Sequence, residues 1–213
     1  MASRLFVSIL FGTLTAVLAT SAASAAGCTG NAQITFDLSQ ADPAWPAGDD
    51  FSIGGGSIQI KEAAGKSDSM AYGGALVGDA DICVDASVGT FKDPTGPGGG
   101  VIFWQTDWSN YYGLTIAPNG QAAIFRIQNG KTLFPVQWRA AASLKTGANV
   151  VNNIRLTLKG NKVSAYFNDQ LFYSVQGQQP QGGGQFGFTG WSEAAAPNVW
   201  TFQNLKVTDP SAQ

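Results

Sequence analysis

Residues 100–138, GVIFWQTDWSNYYGLTIAPNGQAAIFRIQNGKTLFPVQW, contain four strand-like runs separated by three turn signals. Residues 101–106 are apolar on both parities, so that strand is covered on both faces and sits centrally in a sheet. A turn at 107–110 leads into residues 111–117, which end in Pro118-Asn119-Gly120. Residues 121–128 follow, and then Asn129-Gly130, the strongest short-range hairpin signal. Residues 131–138 close the group. Short strands joined by tight turns pair with their chain neighbours, and the pairing they allow is antiparallel.

The rest of the chain repeats this grammar. Residues 31–38, 56–62, 71–77, 79–88, 150–159, 162–168, 170–175, 185–190 and 198–208 read as strands. Residues 39–50 and 63–69 read as loops, with Trp45 tucked against the domain. The Gly- and Pro-rich segments 91–100 (FKDPTGPGGG) and 177–184 (GQQPQGGG) read as mobile connections. One stretch, 139–147, could form a helical turn. Roughly a dozen short strands with close turn signals predict an all-β antiparallel sandwich. No fixed-length repeat is present, which excludes a propeller or solenoid.

The 213 residues suit one domain after a leader is set aside. Arg4, an apolar run from Leu5 to Leu18 and the small-residue pattern Ala23-Ser24-Ala25 form a secretory signal over residues 1–25. The single sandwich domain is expected over 26–213. The leader's run is too short for a membrane span, and no second one of spanning length follows. An exported chain, periplasmic or secreted, is expected. With 12 basic and 14 acidic residues there is no basic surface for nucleic acid. An apolar fraction of 44% fills a core and excludes disorder.

Cys28 and Cys83 are the only cysteines. In an exported chain they fit a disulfide, worth about 4 kcal/mol by loop closure. The run Ala26-Gly27-Cys28 also fits a lipidated N-terminus, and both readings stand at this point.

The series NYYGLTIAPNGQAAIFRIQNGK, WRAAASLKTG, NNIRLTLKGNKVSAYFNDQL, GGQFGF and WTFQNLKV resembles the concanavalin A-like lectin/glucanase superfamily. Within it, the series is similar to bacterial laminin-G-like domains grouped with the 3-keto-disaccharide hydrolase domain. The resemblance implies a jelly-roll sandwich whose last strand lies beside the N-terminal one. It implies that sugars bind on a concave face or at the loop rim, and it admits a structural calcium between the sheets. The catalytic branch carries Glu-x-Asp-x-x-Glu on one strand, and this chain has no such motif.

The chain has no histidine, which removes His-based triads and His metal sites. Its two glutamates, Glu62 and Glu193, read as solvated charges. Asp107, beside Trp104 and Trp108, reads either as a polar site residue or as the cap of its own turn. Flat rings with a polar edge suit stacking on sugars. Trp104, Asp107, Trp108, Tyr111, Arg126 and Trp191 are therefore the candidate ligand-binding set, while Trp138 and Trp200 read as packing. Strand parity places Trp104 with Ile102 and Thr106, and Arg126 with Ile124 and Gln128. If both sets face the concave side, they line one groove.

Three functions follow. The first is a non-catalytic domain binding a glycan or cell-envelope polysaccharide, with no cofactor. The second is a glycoside-cleaving enzyme of the 3-keto-disaccharide hydrolase type using Asp107, Glu193 and Arg126. The third is a protein-interaction or structural envelope module.

Overall fold

A computed structural model describes residues 27–210; the leader expected over 1–25 lies outside them. The described residues form an all-β sandwich of two antiparallel sheets.

The first sheet contains β12 (Gln170–Gln176), β11 (Lys162–Phe167), β10 (Asn152–Lys159), β5 (Ala80–Val88), β14 (Asn198–Thr208), β3 (Ser57–Glu62) and β2 (Phe51–Gly54), in that order. The short β1 (Ala32–Ile34) adds to β14 through Ala32 opposite Thr208, so the first and last strands are neighbours as the resemblance implied. The second sheet runs β4 (Ser67–Ala71), β13 (Gln185–Trp191), β6 (Gly98–Asp107), β7 (Asn110–Ile116), β8 (Gln121–Gln128) and β9 (Lys131–Ala140). The stretch from β6 to β9 is thus a four-strand meander, and β6 is fully buried over its first eight residues.

The inner faces meet in one core. Ile58 and Ile60 on β3, Ile82 and Val84 on β5 and Phe202 on β14 face Val101, Phe103, Leu114, Phe186 and Phe188. Phe188 and Phe202 stack across the sheets with ring centroids 4.4 Å apart. Each such side chain contributes about 1.5–3 kcal/mol by leaving water. On the other face of β5, Asp81 pairs with Arg155 at 2.8 Å, and Asp85 accepts amide hydrogens from Asn153 and Asn204. Cys83, on this face, is bonded to Cys28 with Cα atoms 6.0 Å apart, which leaves no thiol on Cys28 for a lipid.

Several local expectations change. The strand expected at 31–38 contracts to β1, and the one expected at 71–77 is replaced by β4, which begins inside the segment 63–69 read as a loop and ends at Ala71. Ser67–Ala71 has little intrinsic strand preference, but pairing with β13 satisfies its backbone and buries Met70. Residues 98–100 belong to β6 rather than to a mobile connection. A Cβ on Gly98 would lie 1.9 Å from the Trp191 ring, and one on Gly99 2.5 Å from Trp200. These glycines let two indoles lie directly on the strand. Arg139 and Ala140 end β9, and residues 141–147 are turn and irregular backbone with no helix. Glu62 and Glu193 are buried, not solvated, at 2% and 5% exposure.

Candidate functional site

At the C-terminal end of β6 the strand breaks its own parity. Its register with β7 slips between Phe103 and Asp107, and Trp104 takes φ +50°. A bulky residue rarely occupies that region, and holding it there costs about 1–3 kcal/mol. The consequence is that Phe103 and Trp104 both enter the core, against the expected grouping of Trp104 with Ile102. Trp104 is 1% exposed, lies edge-on to Tyr112 at 5.7 Å, and its Nε1 has no partner among the described residues.

Beyond Trp104 a cavity of about 290 Å³ opens at the end of the sandwich. Its walls come from β6 and β7 (Trp104, Thr106, Tyr111, Tyr112), from β8 (Arg126) and from the loop after β12 (Gln178). The groove expected on a concave face is therefore a rim cavity. Tyr112 and Arg126 stand opposite each other in register, and the guanidinium lies 4.9 Å above the Tyr112 ring. Arg126 donates to Gln178 Oε1 at 2.7 Å, and the Gln178 N–H donates to the Tyr112 hydroxyl at 3.1 Å. Burial raises the Tyr112 pKa, with Arg126 pulling it partly back, and burial also raises that of Tyr111. Both phenols therefore keep their protons at neutral pH and can donate to a ligand.

The loop over 177–184 is pinned, not flexible. Gly177 N–H donates to Asn161 O, Gln179 N–H to Asn161 Oδ1, and Gly184 exchanges backbone bonds with Val77. A Cβ on Gly177 would come within 2.7 Å of the Trp104 ring, so that glycine lets the loop rest on the indole.

Trp108 lies at the tip of the β6–β7 turn, 54% exposed and edge-on to Tyr111 at 6.0 Å. Asp107 holds this tip. It accepts the Ser109 N–H at 2.6 Å and the Asn110 side-chain amide at 3.1 Å, the capping role rather than a free carboxylate.

Trp191 and Glu193 lie at the other end of β6. A ten-residue strand at about 3.3 Å per residue separates them from Asp107 by roughly 30 Å. Glu193 accepts N–H bonds from Lys92 and Asp93. Trp191 meets Trp138 edge-to-face at 6.1 Å and lines a second cavity, of about 340 Å³, with Asn119 and Gln121. Among the described residues no group of three or more His, Cys, Asp or Glu side chains converges to hold a metal ion.

The structure thus gathers Trp104, Trp108, Tyr111 and Arg126, with Asp107 bracing them, and sets Trp191 and Glu193 apart. Sequence reasoning missed Gln178 and passed over Tyr112. Gln178 reaches the cavity from 52 residues away in the chain, and no local pattern carries that.

No protein-family model and no curated protein matches the sequence. Among solved structures, the chain is similar to carbohydrate binding module CBM66 from Bacillus subtilis, at 18% identity and TM-score 0.62, over 78% of this chain and 96% of that one. It is similar to the Emp46p carbohydrate recognition domain in its metal-free form, at 12% identity and TM-score 0.61, over 88% and 98%. It is also similar to the Bacillus licheniformis beta-glucanase, at 13% identity and TM-score 0.59, over 85% and 99%. These likenesses establish the fold, an all-β concanavalin A-like jelly roll.

Proposed function

We propose that this is an exported, non-catalytic domain that binds a glycan, such as a cell-envelope polysaccharide, in the rim cavity at the C-terminal end of β6. One observation carries the reading: an exposed Trp108 stands beside Tyr111 at a cavity lined by Tyr112, Arg126 and Gln178. A solvent-facing indole beside a fixed set of hydrogen-bond donors suits a sugar, which has apolar ring faces and a hydroxyl edge. The similar structures include a carbohydrate binding module and a carbohydrate recognition domain.

Placement favours binding over cleavage. Glycosidase carboxylates stand about 5–10 Å apart. Asp107 and Glu193 are much farther apart than that, and each is engaged in backbone hydrogen bonds. The leader sequence and the Cys28–Cys83 disulfide support export to an oxidising compartment. No helix among the described residues is long and apolar enough to cross a membrane.

Pull-down on insoluble polysaccharides and a glycan array test the proposal. Trp108→Ala should lower affinity by about thirtyfold, as for an aromatic hot spot, with Tm unchanged. Equal binding by wild type and Trp108→Ala would remove the site assignment.

A further inference from the structure

We infer that the rim cavity selects sugars carrying a carboxylate, as in a polyuronate, and that Arg126 is the group that reads it; this rests on the glycan-binding proposal. Arg126 is the one charged side chain among the residues lining the cavity. Arg155 is ion-paired with Asp81, whereas Arg126 has no carboxylate partner among the described residues. Asp107 is near in the chain, but its oxygens hold Ser109 and Asn110 and it does not line the cavity.

What holds Arg126 is neutral. Gln178 accepts one hydrogen bond, and the Tyr112 ring supports the guanidinium face. These contacts fix the fork without compensating its charge. Most of the five N–H donors of a guanidinium remain for a ligand. A partly desolvated cation without a counter-charge is costly, and a planar carboxylate is the anion that a fixed fork meets bidentately.

Hydroxyls of a neutral sugar need no such charge. The cavity at the opposite end of β6 shows the neutral alternative, with Thr95, Asn119 and Gln121 as its polar groups. The protein as a whole carries −2, so its net field does not attract a polyanion. Selection by charge must then be local, and its salt dependence should be that of about one ion pair.

The test compares polygalacturonate, alginate and hyaluronate with the carboxyl-reduced form of each, using the full mature chain in isothermal titration calorimetry. Wild type should bind the acidic polymer at least tenfold tighter than its reduced form. Arg126→Gln should cut binding of the acidic polymer about tenfold more than that of the neutral one. Arg126→Lys, which keeps the charge and loses the fork, should fall between. A matching Tm for each variant excludes unfolding as the cause. Equal affinity for acidic and reduced polymers, or an acid preference that survives Arg126→Gln, overturns the inference and leaves glycan binding standing. Absence of binding to every acidic and neutral polymer overturns both.

Discussion

The two ends of β6 present the same residue types in opposite circumstances. At the N-terminal end Trp191 lies over Gly98 and donates its Nε1–H to Gly96 O at 3.1 Å. Its carbonyl accepts hydrogen bonds from Asn198 and Trp200. At the C-terminal end Trp108 projects from its turn, touches Tyr111 edge-on and is 54% exposed to solvent. The two cavities differ little in size, at about 340 and 290 Å³. Volume therefore does not single out one of the two cavities as the proposed binding site. What distinguishes them is whether the indole's polar edge is already satisfied and whether a charge is left uncompensated.

The largest expected effect would fall on stability at the Trp191 end. Trp191→Ala removes the ring packed on Gly98, and Gly98→Ala forces it off. Each should cost about 3 kcal/mol, or roughly 6–10 °C in Tm, by calorimetry. Glycan affinity of the folded fraction should not change. If Trp191→Ala instead abolishes binding at constant Tm, the comparison is reversed and the site lies at that end.

Gly177→Ala should do the converse. Its new methyl meets Trp104 and displaces the neighbouring Gln178. About a tenfold loss of affinity, near 1.4 kcal/mol, is expected by titration, with a smaller loss of stability. Unaltered affinity would mean that the loop over 177–184 does not shape the cavity.

Glu62 separates the ends by pH. Burial raises its pKa from 4.5 to about 7, its hydrogen bond from the Asp68 N–H opposes this, and the Asp68 and Asp50 charges add to it. The folded state therefore holds the proton more tightly than the unfolded chain does. This stability is complete below about pH 4.5 and is lost as pH rises through about 7. The expected loss is on the order of 1–2 kcal/mol, or about 3–6 °C, and Glu62→Gln should flatten the slope. Its register partner Asn198 donates to the Trp191 carbonyl, so amide exchange near Trp191 should quicken first. A slope that survives in Glu62→Gln points to another group.

The smallest effects are expected at Asn119 and Gln121, which bond each other on the exposed β7–β8 turn. Alanine at either should change stability by less than about 0.5 kcal/mol and leave affinity alone. A clear loss of affinity would make the second cavity a ligand site.

Much of the fold could be read in the chain. The runs over 121–128 and 198–208 coincide with β8 and β14, because alternation and turn residues are local signals. β4 was not legible, since Ser67-Asp68-Ser69 is strand-like only against β13. The site was partly legible. Trp108, Tyr111 and Arg126 were nominated by residue type, whereas Trp104 was assigned the wrong face because its positive φ breaks the period of two.

By itself, then, the sequence determined the class of architecture, the order of its hairpins and the residue types available for binding. These follow from periods of two and from turn chemistry, which act over a few residues. Tertiary structure alone decided that Glu193 is a buried cap, that Trp191 is locked in place and that Gln178 meets Arg126. Those outcomes depend on contacts between segments 52 to 101 residues apart, whose proximity no local pattern encodes.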